Sequence, residues 1–245
     1  MIDVGLTRHI VRQLTRGKRL WGLSLLSAVA GLAAWIAGAG RTAGDVAENY
    51  HVIVATVAGA TLSIAMLVMG AAALRDERDS GTLSYLYLKP IARWRFALSA
   101  WAAAAWAAGV AGTLGWAVGW VAMGLTVGSW TLALPALSAY LAAAVGYTAI
   151  FVPVGYLFSR AVLVGLAYVF VWEAIITRIV VGLGATSVWR TALSIYADLT
   201  VLPNDALEAL GQVAPSVTTG VVKLVVAVVV GIGVLTWALK RRDAL

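Results

Sequence analysis

The longest uniform feature of the sequence is a stretch of 64 positions, Phe96 to Ser159, without a single Asp, Glu, Lys or Arg. As one helix it would be roughly 96 Å long, at about 1.5 Å of rise per residue. The hydrocarbon core of a bilayer is only about 30 Å thick, so the stretch predicts two membrane spans joined by a turn. We expect that turn at Gly128-Ser129-Trp130-Thr131, with Pro135 opening the following helix.

The composition extends this prediction to the whole chain, which is 62% hydrophobic and only 12% charged. A soluble domain would carry roughly a quarter charged residues. Because apolar stretches of membrane length recur along the chain, we predict an all-α polytopic membrane protein with six transmembrane helices in a single domain, 1–245. The predicted spans are 20–38, 51–74, 97–127, 132–158, 161–182 and 219–239.

Several function classes are excluded or disfavoured by residue content. The chain has no cysteine, which excludes disulfides, thiolate metal sites and cysteine nucleophiles. Its two histidines, His9 and His51, are isolated, which argues against a histidine metal centre. No GxxxxGK[ST] phosphate loop and no hydrolytic constellation occurs, so we expect no enzyme activity from this chain alone and no cofactor or metal bound by it.

The basic residues are distributed asymmetrically between the predicted loops. Fourteen of the 18 lie in 1–19, 75–95, at Arg160 and in 240–242, and only four fall elsewhere. The positive-inside rule therefore predicts that both termini lie in the cytoplasm. We expect the protein to be in the plasma membrane. Anionic lipid and topology account for the net charge of +7, so no nucleic-acid partner is needed.

The N-terminal segment 1–19 has two faces. Arg8, Arg12 and Arg16 recur every four residues, and Leu6, Ile10 and Leu14 do the same on another face. This spacing predicts an amphipathic helix in the headgroup region, with its apolar side towards the lipid. The alternative is a disordered basic leader that only fixes the orientation.

A polar segment, 75–96, separates the second and third predicted spans. Leu83, Leu86 and Tyr87 have helical spacing, and Pro90 cannot continue a helix. The segment is typical of a short amphipathic docking helix tethered at both ends to membrane spans. The alternative is an ordinary basic loop that obeys topology rules.

Glu173 is the most conspicuous charge inside a predicted span. An ionised carboxylate there is costly unless it is paired or hydrated. Arg178 lies five residues away, too far around an α-helix for a comfortable i,i+4 pair. Glu173 is therefore predicted either to lie on a translocation path or proton route, or to form a structural hydrogen bond near a helix break.

The third predicted span contains two GxxxG spacings, Gly115–Gly119 and Gly124–Gly128. Such spacing allows close contact between helices. With 25 glycines in the chain, however, these spacings also arise readily by chance.

The polar segment resembles the ABC-2 class of ABC transporter permeases. The pattern in that family is an acidic-basic cluster, Glu-x-x-x-Gly-Thr, spaced leucines, a Pro and a following Arg. This chain has the same order after its second span, at Glu77, Gly81, Thr82, Leu83, Leu86, Pro90 and Arg93. The similarity is specific at 75–96, loose at 168–196, and otherwise a matter of architecture.

The resemblance implies the permease subunit of an ATP-driven transporter, as an exporter. Two permease copies, identical or paralogous, would pair in the bilayer with two copies of a separate ATPase subunit, which would use ATP and Mg. The segment would be the cytoplasmic coupling helix that docks on the ATPase. The docking residues would be Glu77, Gly81, Thr82, Leu83, Leu86, Tyr87, Pro90 and Arg93. The alternatives are a secondary transporter or channel that uses Glu173, or a membrane scaffold without transport.

Overall fold

The computed structural model of the chain describes residues 3–16, 18–79, 92–200 and 214–242, without the side chains at 76, 77, 79, 178, 181 and 242. Every regular element in this part is helical. The helices are α1 (Val4–Thr15), α2 (Lys18–Gly38), α3 (Ala43–Ile53, a π-helical stretch Val54–Ala58, and Gly59–Asp79), α4 (Arg93–Val127), α5 (Ala136–Leu157), α6 (Ala161–Ala167, a π-helical stretch Tyr168–Ile176, and Thr177–Ile179), α7 (Val188–Asp198) and α8 (Val217–Arg242). A 3-10 turn, Val181–Thr186, joins α6 to α7.

Five of these helices are long and apolar enough to cross a membrane: α2, the part of α3 from Ala43 to Arg75, α4, α5 and α8. The apolar part of α6, Ala161–Ile176, is shorter, whereas a full span takes about 20 residues. The described part of the chain is thus an all-α protein with several membrane-length helices. The predicted fifth span, 161–182, extends too far, because α6 ends at Ile179 and the chain then turns.

Helices α2 and α4 approach each other through small residues. A Cβ atom built on Gly31 of α2 would lie 2.5 Å from the Cα atom of Gly119 in α4. One turn away, Gly115 faces the backbone of Ser27 just as closely. The Gly115–Gly119 spacing therefore provides a helix contact of the kind that small residues permit in membranes.

The second glycine spacing has another role. Gly128 adopts a left-handed φ of 73° and donates its backbone N–H to the carbonyl of Gly124, which ends α4 as a C-cap. Gly124 itself lies under the indole ring of Trp130. The chain then reaches α5 through residues 128–135, in agreement with the predicted turn.

Helices α3 and α5 form a second close pair. Gly155 of α5 touches the backbone of Ala71, and Gly70 of α3 lies against Phe151. Near the end of α3, Arg78 Nη1 donates to the backbone carbonyl of Tyr156 at 3.0 Å. We call this end of the bundle the basic end, because Arg78 and the first residues of α4 lie there.

Helix α1 is present where the amphipathic helix was predicted, but protein covers its apolar face. Leu6, Ile10 and Leu14 are at most 3% exposed, and α1 packs mainly on α4. The Asp3 backbone N–H donates to Ser99 Oγ of α4 at 2.9 Å, which fixes the start of α1. The arginines at 8, 12 and 16 remain exposed on the opposite face.

Candidate functional site

The predicted docking residues Gly81, Thr82, Leu83, Leu86, Tyr87 and Pro90 lie outside the described residues. Glu77 is in the last turn of α3, where its side chain is not described, and Arg93 is the first residue of α4. The structure therefore shows the two helices that flank the predicted docking segment. Of these, α4 is 35 residues long and α3 is a single continuous helix of similar length.

Glu173 is the centre of a polar network between α6 and α7. Its Oε1 atom accepts hydrogen bonds from the backbone N–H of Val188 at 2.9 Å and from the hydroxyl of Tyr168 at 3.2 Å. Its Oε2 atom accepts from Ser187 Oγ at 2.5 Å. The buried Tyr147 hydroxyl also interacts with Glu173, and with Ser63 of α3. Both oxygens of the carboxylate are thus engaged by protein donors.

The network completes the N-terminus of α7. The first N–H groups of a helix have no partner within that helix. Ser187 is the N-cap residue, and its Oγ atom accepts from the backbone N–H of Arg190 at 3.0 Å. Glu173 accepts from the N–H of Val188, the residue after the N-cap, and brings negative charge to the positive end of the helix dipole. The carboxylate therefore acts as a second cap, supplied by another helix.

The π-helical stretch of α6 explains the Tyr168–Glu173 contact. In an α-helix, residues five positions apart point in different directions, because each residue turns by about 100°. A π-helix has its hydrogen bonds at i→i+5, so residues at that spacing come close together. Sequence reasoning missed Tyr168 because it assumed α-helical geometry throughout. It missed Ser187 and Val188 because it placed 161–182 in one uninterrupted span.

A second π-helical stretch, in α3, contacts the other side of α7. Trp189 donates its indole N–H to the backbone carbonyl of Ala55 at 2.9 Å. Gly59 makes room for this ring, since a Cβ atom there would lie 2.5 Å from Trp189 Nε1. One residue was recognisable in advance: a Ser before a short apolar helix, as Ser187 is, is an N-cap signal.

Helix α7 is oriented with its N-terminus deeper in the bundle. Val188 lies against Gly146, in the middle of α5, and Trp189 lies beside Ala55. At the other end of α7, the hydroxyl of Tyr196 hydrogen-bonds to His51, which precedes the π-helical stretch in α3. Eight of the eleven residues of α7 are buried. Helix α7 is therefore an internal helix that enters the bundle from the end opposite the basic end.

The C-terminal end of α7 is fastened to the beginning of α8. The backbone N–H of Ser216 donates to the carbonyl of Ser194 at 3.2 Å. The backbone N–H of Val217, the first residue of α8, donates to Asp198 Oδ2 at 2.9 Å. Both ends of α7 are thus held by hydrogen bonds to other helices or their caps.

The described residues hold no group of three or more His, Cys, Asp or Glu side chains that could bind a metal ion. Within this part of the chain, the Glu173 network joins α6 to the start of α7 through one side-chain donor and one backbone donor. Its chemistry is that of a partly buried capping carboxylate. Three donors hold the oxygens in place, and the arrangement fixes one helix end against another.

Comparison of the sequence with models of known protein families and with curated proteins finds no match. The resemblance to ABC-2 permeases therefore depends on the residues of segment 75–96 and on the architecture. The Glu173 network, in contrast, depends only on geometry within this chain.

Proposed function

We propose that the chain is the membrane-spanning permease subunit of an ATP-driven exporter of the ABC-2 class. In this proposal α6 serves as the fifth of six spans, both termini face the cytoplasm, and the basic end lies at the cytoplasmic surface of the plasma membrane. Two such chains pair and work with two ATPase subunits, which bind ATP and Mg²⁺. The observation that carries the proposal is the position of the docking motif, between the two long helices α3 and α4.

Helix α3 provides a physical route from the docking segment to the opposite end. It begins near α7 and ends at the docking segment, and it is helical without interruption from Ala43 to Asp79. It contacts α7 through the Ala55 carbonyl and His51. A tilt of α3 driven at the basic end would change its contacts with α7. A ligand drives such a change only if its contacts differ between the two states. An ATPase that binds the segment must therefore contact it differently before and after hydrolysis.

The exposed arginines of α1 fit a position at the lipid headgroups. The apolar residues of α1 are covered by α4, and its three arginines point away from the protein. A cationic helix face next to a bilayer is attracted to anionic lipid. In this proposal α1 lies at the interface, attached to the bundle rather than immersed in lipid.

The docking assignment is tested by placing a charge on the predicted apolar face. We expect Leu83→Asp and Leu86→Asp each to abolish co-purification with the partner ATPase subunit and to reduce ATP turnover at least about tenfold, because each buries a carboxylate in the contact. Leu88→Asp is the matched control, since Leu88 falls on the other side of the same predicted helix. A complex that survives both variants with unchanged turnover would remove the basis of the proposal.

The alternative of a secondary transporter driven through Glu173 gains no support from the geometry. Intramembrane carboxylates that carry protons commonly face a cavity or one another. Here the carboxylate accepts from Ser187, Val188 and Tyr168. These contacts favour the structural hydrogen bond near a helix break that was the second prediction for Glu173.

A further inference from the structure

A cavity of about 630 Å³ lies beneath the N-terminal end of α7, between α5 and α8. It exists because α7 fills only part of the space between these two helices. Its walls are α5 around Pro153, the 3-10 turn with the start of α7, and one face of α8 from Val222 to Val234. Its volume falls in the range of roughly 300–1,000 Å³ that is usual for sites that hold one small molecule.

The lining is almost entirely aliphatic, and its hydroxyl groups already donate hydrogen bonds to other protein groups. Thr186 Oγ1 donates to the carbonyl of Leu183 at 2.7 Å, and Thr191 Oγ1 donates to the carbonyl of Ser187 at 2.8 Å. Ser187 donates to Glu173. A buried water needs two to four polar partners. The cavity therefore suits an apolar occupant better than water.

The surroundings of the cavity indicate which apolar occupant that is. Helices α5 and α8 are both of membrane length. The face of α8 is rich in exposed valines, among them Val226 and Val230, which are 56% and 58% exposed. A groove between two such helices opens into the hydrocarbon of the bilayer. The apolar groups available in the bilayer hydrocarbon are the alkyl chains of lipids.

Lys223 adds a charge to one rim of the cavity. It is the only charged residue between Val217 and Leu239 of α8, and its side chain is exposed. Among the described residues no carboxylate is paired with it. The long stem of a lysine allows its ammonium group to reach towards the membrane surface. From Lys223 to Val234 at the far end of the cavity is about 16 Å along the helix, at about 1.5 Å per residue.

We propose that this cavity binds one alkyl chain of an anionic phospholipid, whose phosphate headgroup pairs with Lys223. The chain lies along α8 from Lys223 towards Val234 and fills the space under α7. This site is independent of the proposed transport function, because it needs neither the ATPase nor a transported substrate. Its failure would therefore leave the docking assignment untouched, and the reverse also holds.

The chain-binding part is tested by a pair of neighbouring tryptophan substitutions. Val226 lines the cavity and Val225 does not, although the two are 56% and 55% exposed. The probe is native mass spectrometry of the purified protein with phosphatidylglycerol added, counting retained lipids. We expect Val226→Trp to retain one lipid fewer than the unchanged protein, and Val225→Trp to retain the same number. Equal numbers in both variants would overturn the proposal.

The headgroup part is tested by removing the charge. We expect Lys223→Gln to reduce the preference for phosphatidylglycerol over phosphatidylcholine about fivefold, as expected for one lysine near a membrane surface. Lys240→Gln, an exposed lysine at the basic end of α8, should leave the preference at this site unchanged. An unchanged preference in Lys223→Gln would show that Lys223 does not bind the headgroup.

A labelling experiment covers the case in which a tryptophan variant does not fold. The chain has no cysteine, so Val226→Cys and Val225→Cys each carry a single thiol. We expect phosphatidylglycerol to slow the reaction of a maleimide with Cys at position 226 severalfold more than at 225. Equal slowing contradicts the proposal. If Val226→Trp instead dissociates a dimer without losing lipid, the occupant is a second copy of the chain, and the lipid assignment is wrong.

Discussion

The two π-helical stretches contact the same helix, α7, and differ in what each contributes. In α3, the stretch Val54–Ala58 offers a backbone carbonyl, Ala55, to the indole of Trp189. In α6, the stretch Tyr168–Ile176 offers a side-chain carboxylate, Glu173, to the backbone and N-cap of α7. A wider helical turn disturbs the regular backbone ladder. In both stretches, a group of the π-helix accepts a hydrogen bond from α7 or its N-cap.

The surroundings of the two stretches also differ. Val54, Ala55 and Ala58 are buried among other helices, whereas Phe170, Val171 and Ile175 in the α6 stretch are about half exposed. Burying an ionised group is costly, while a neutral indole–carbonyl hydrogen bond carries no such penalty. The carboxylate occurs at the less covered of the two stretches, and its three protein donors offset that cost. Glu173 itself is only partly buried.

The largest expected effect is that of Glu173→Ala, which removes the α6 side of the comparison. Three donors, from Tyr168, Ser187 and Val188, lose their acceptor at once. We expect the free energy of unfolding to fall by about 3 kcal/mol. Steric trapping in micelles measures it, and Glu48→Ala, an exposed carboxylate in α3, is the control. A loss below about 1 kcal/mol would mean that water replaces the carboxylate readily.

Gly59→Ala tests the fit of Trp189 against α3. The new methyl group would lie 2.5 Å from the indole nitrogen, so the ring must move. We expect a loss of about 2 kcal/mol from overpacking. Gly233→Ala is the control, because nothing lies within 4 Å of a Cβ atom at that position. If the indole is the cause, Gly59→Ala should cost much less in a Trp189→Ala background.

Trp189→Phe removes the donor to Ala55 and keeps an aromatic ring. We expect a loss of about 1.5 kcal/mol, because a buried carbonyl in the π-helical stretch loses its donor. Trp237→Phe, at a half-exposed tryptophan of α8, is the matched control. If both substitutions cost the same, the hydrogen bond to Ala55 contributes nothing beyond the size of the ring.

Glu173→Gln has the smallest expected effect and separates charge from hydrogen bonding. The amide keeps one acceptor oxygen but turns an NH₂ group towards the donors of α7. Hydrogen bonds to ionised groups are roughly twice as strong as neutral ones, so we expect a loss of about 1 kcal/mol in the free energy of unfolding. Under the proposed function, ATP coupling should be retained in the folded protein. Unchanged stability together with altered substrate stimulation of the ATPase would instead place Glu173 on the translocation path.

Sequence reasoning identified Glu173 but not its partners, for a physical reason. Helix prediction uses a period of 3.6 residues, and the contact between Tyr168 and Glu173 requires the wider π-helical turn. The partners Ser187 and Val188 lie beyond a reversal of the chain that contains no charged residue to mark it, Val181–Thr186. Only Ser187, as an N-cap residue, carried a local signal.

The two glycine spacings in α4 show a similar limit. Gly115 and Gly119 contact α2, whereas Gly124 and Gly128 serve the end of the helix and the packing of Trp130. The pattern is the same in both cases. The role of each GxxxG spacing depends on which helix or side chain packs against it, and the tertiary structure determines that neighbour. The long apolar helices, by contrast, follow from composition and length alone.

The glycine contacts have a mechanical consequence. Backbone meets backbone between α2 and α4 at Gly31 and Gly119, and between α3 and α5 at Gly155 and Ala71, so neither pair can roll without overlap. Between the pairs, a Cβ atom on Gly112 of α4 would lie 3.2 Å from the methyl end of Met66 in α3, a flexible side chain, and 3.8 Å from the backbone carbonyl of Tyr140 in α5. At this point the contact between the pairs can adjust by movement of a side chain, whereas the backbone contacts within each pair cannot.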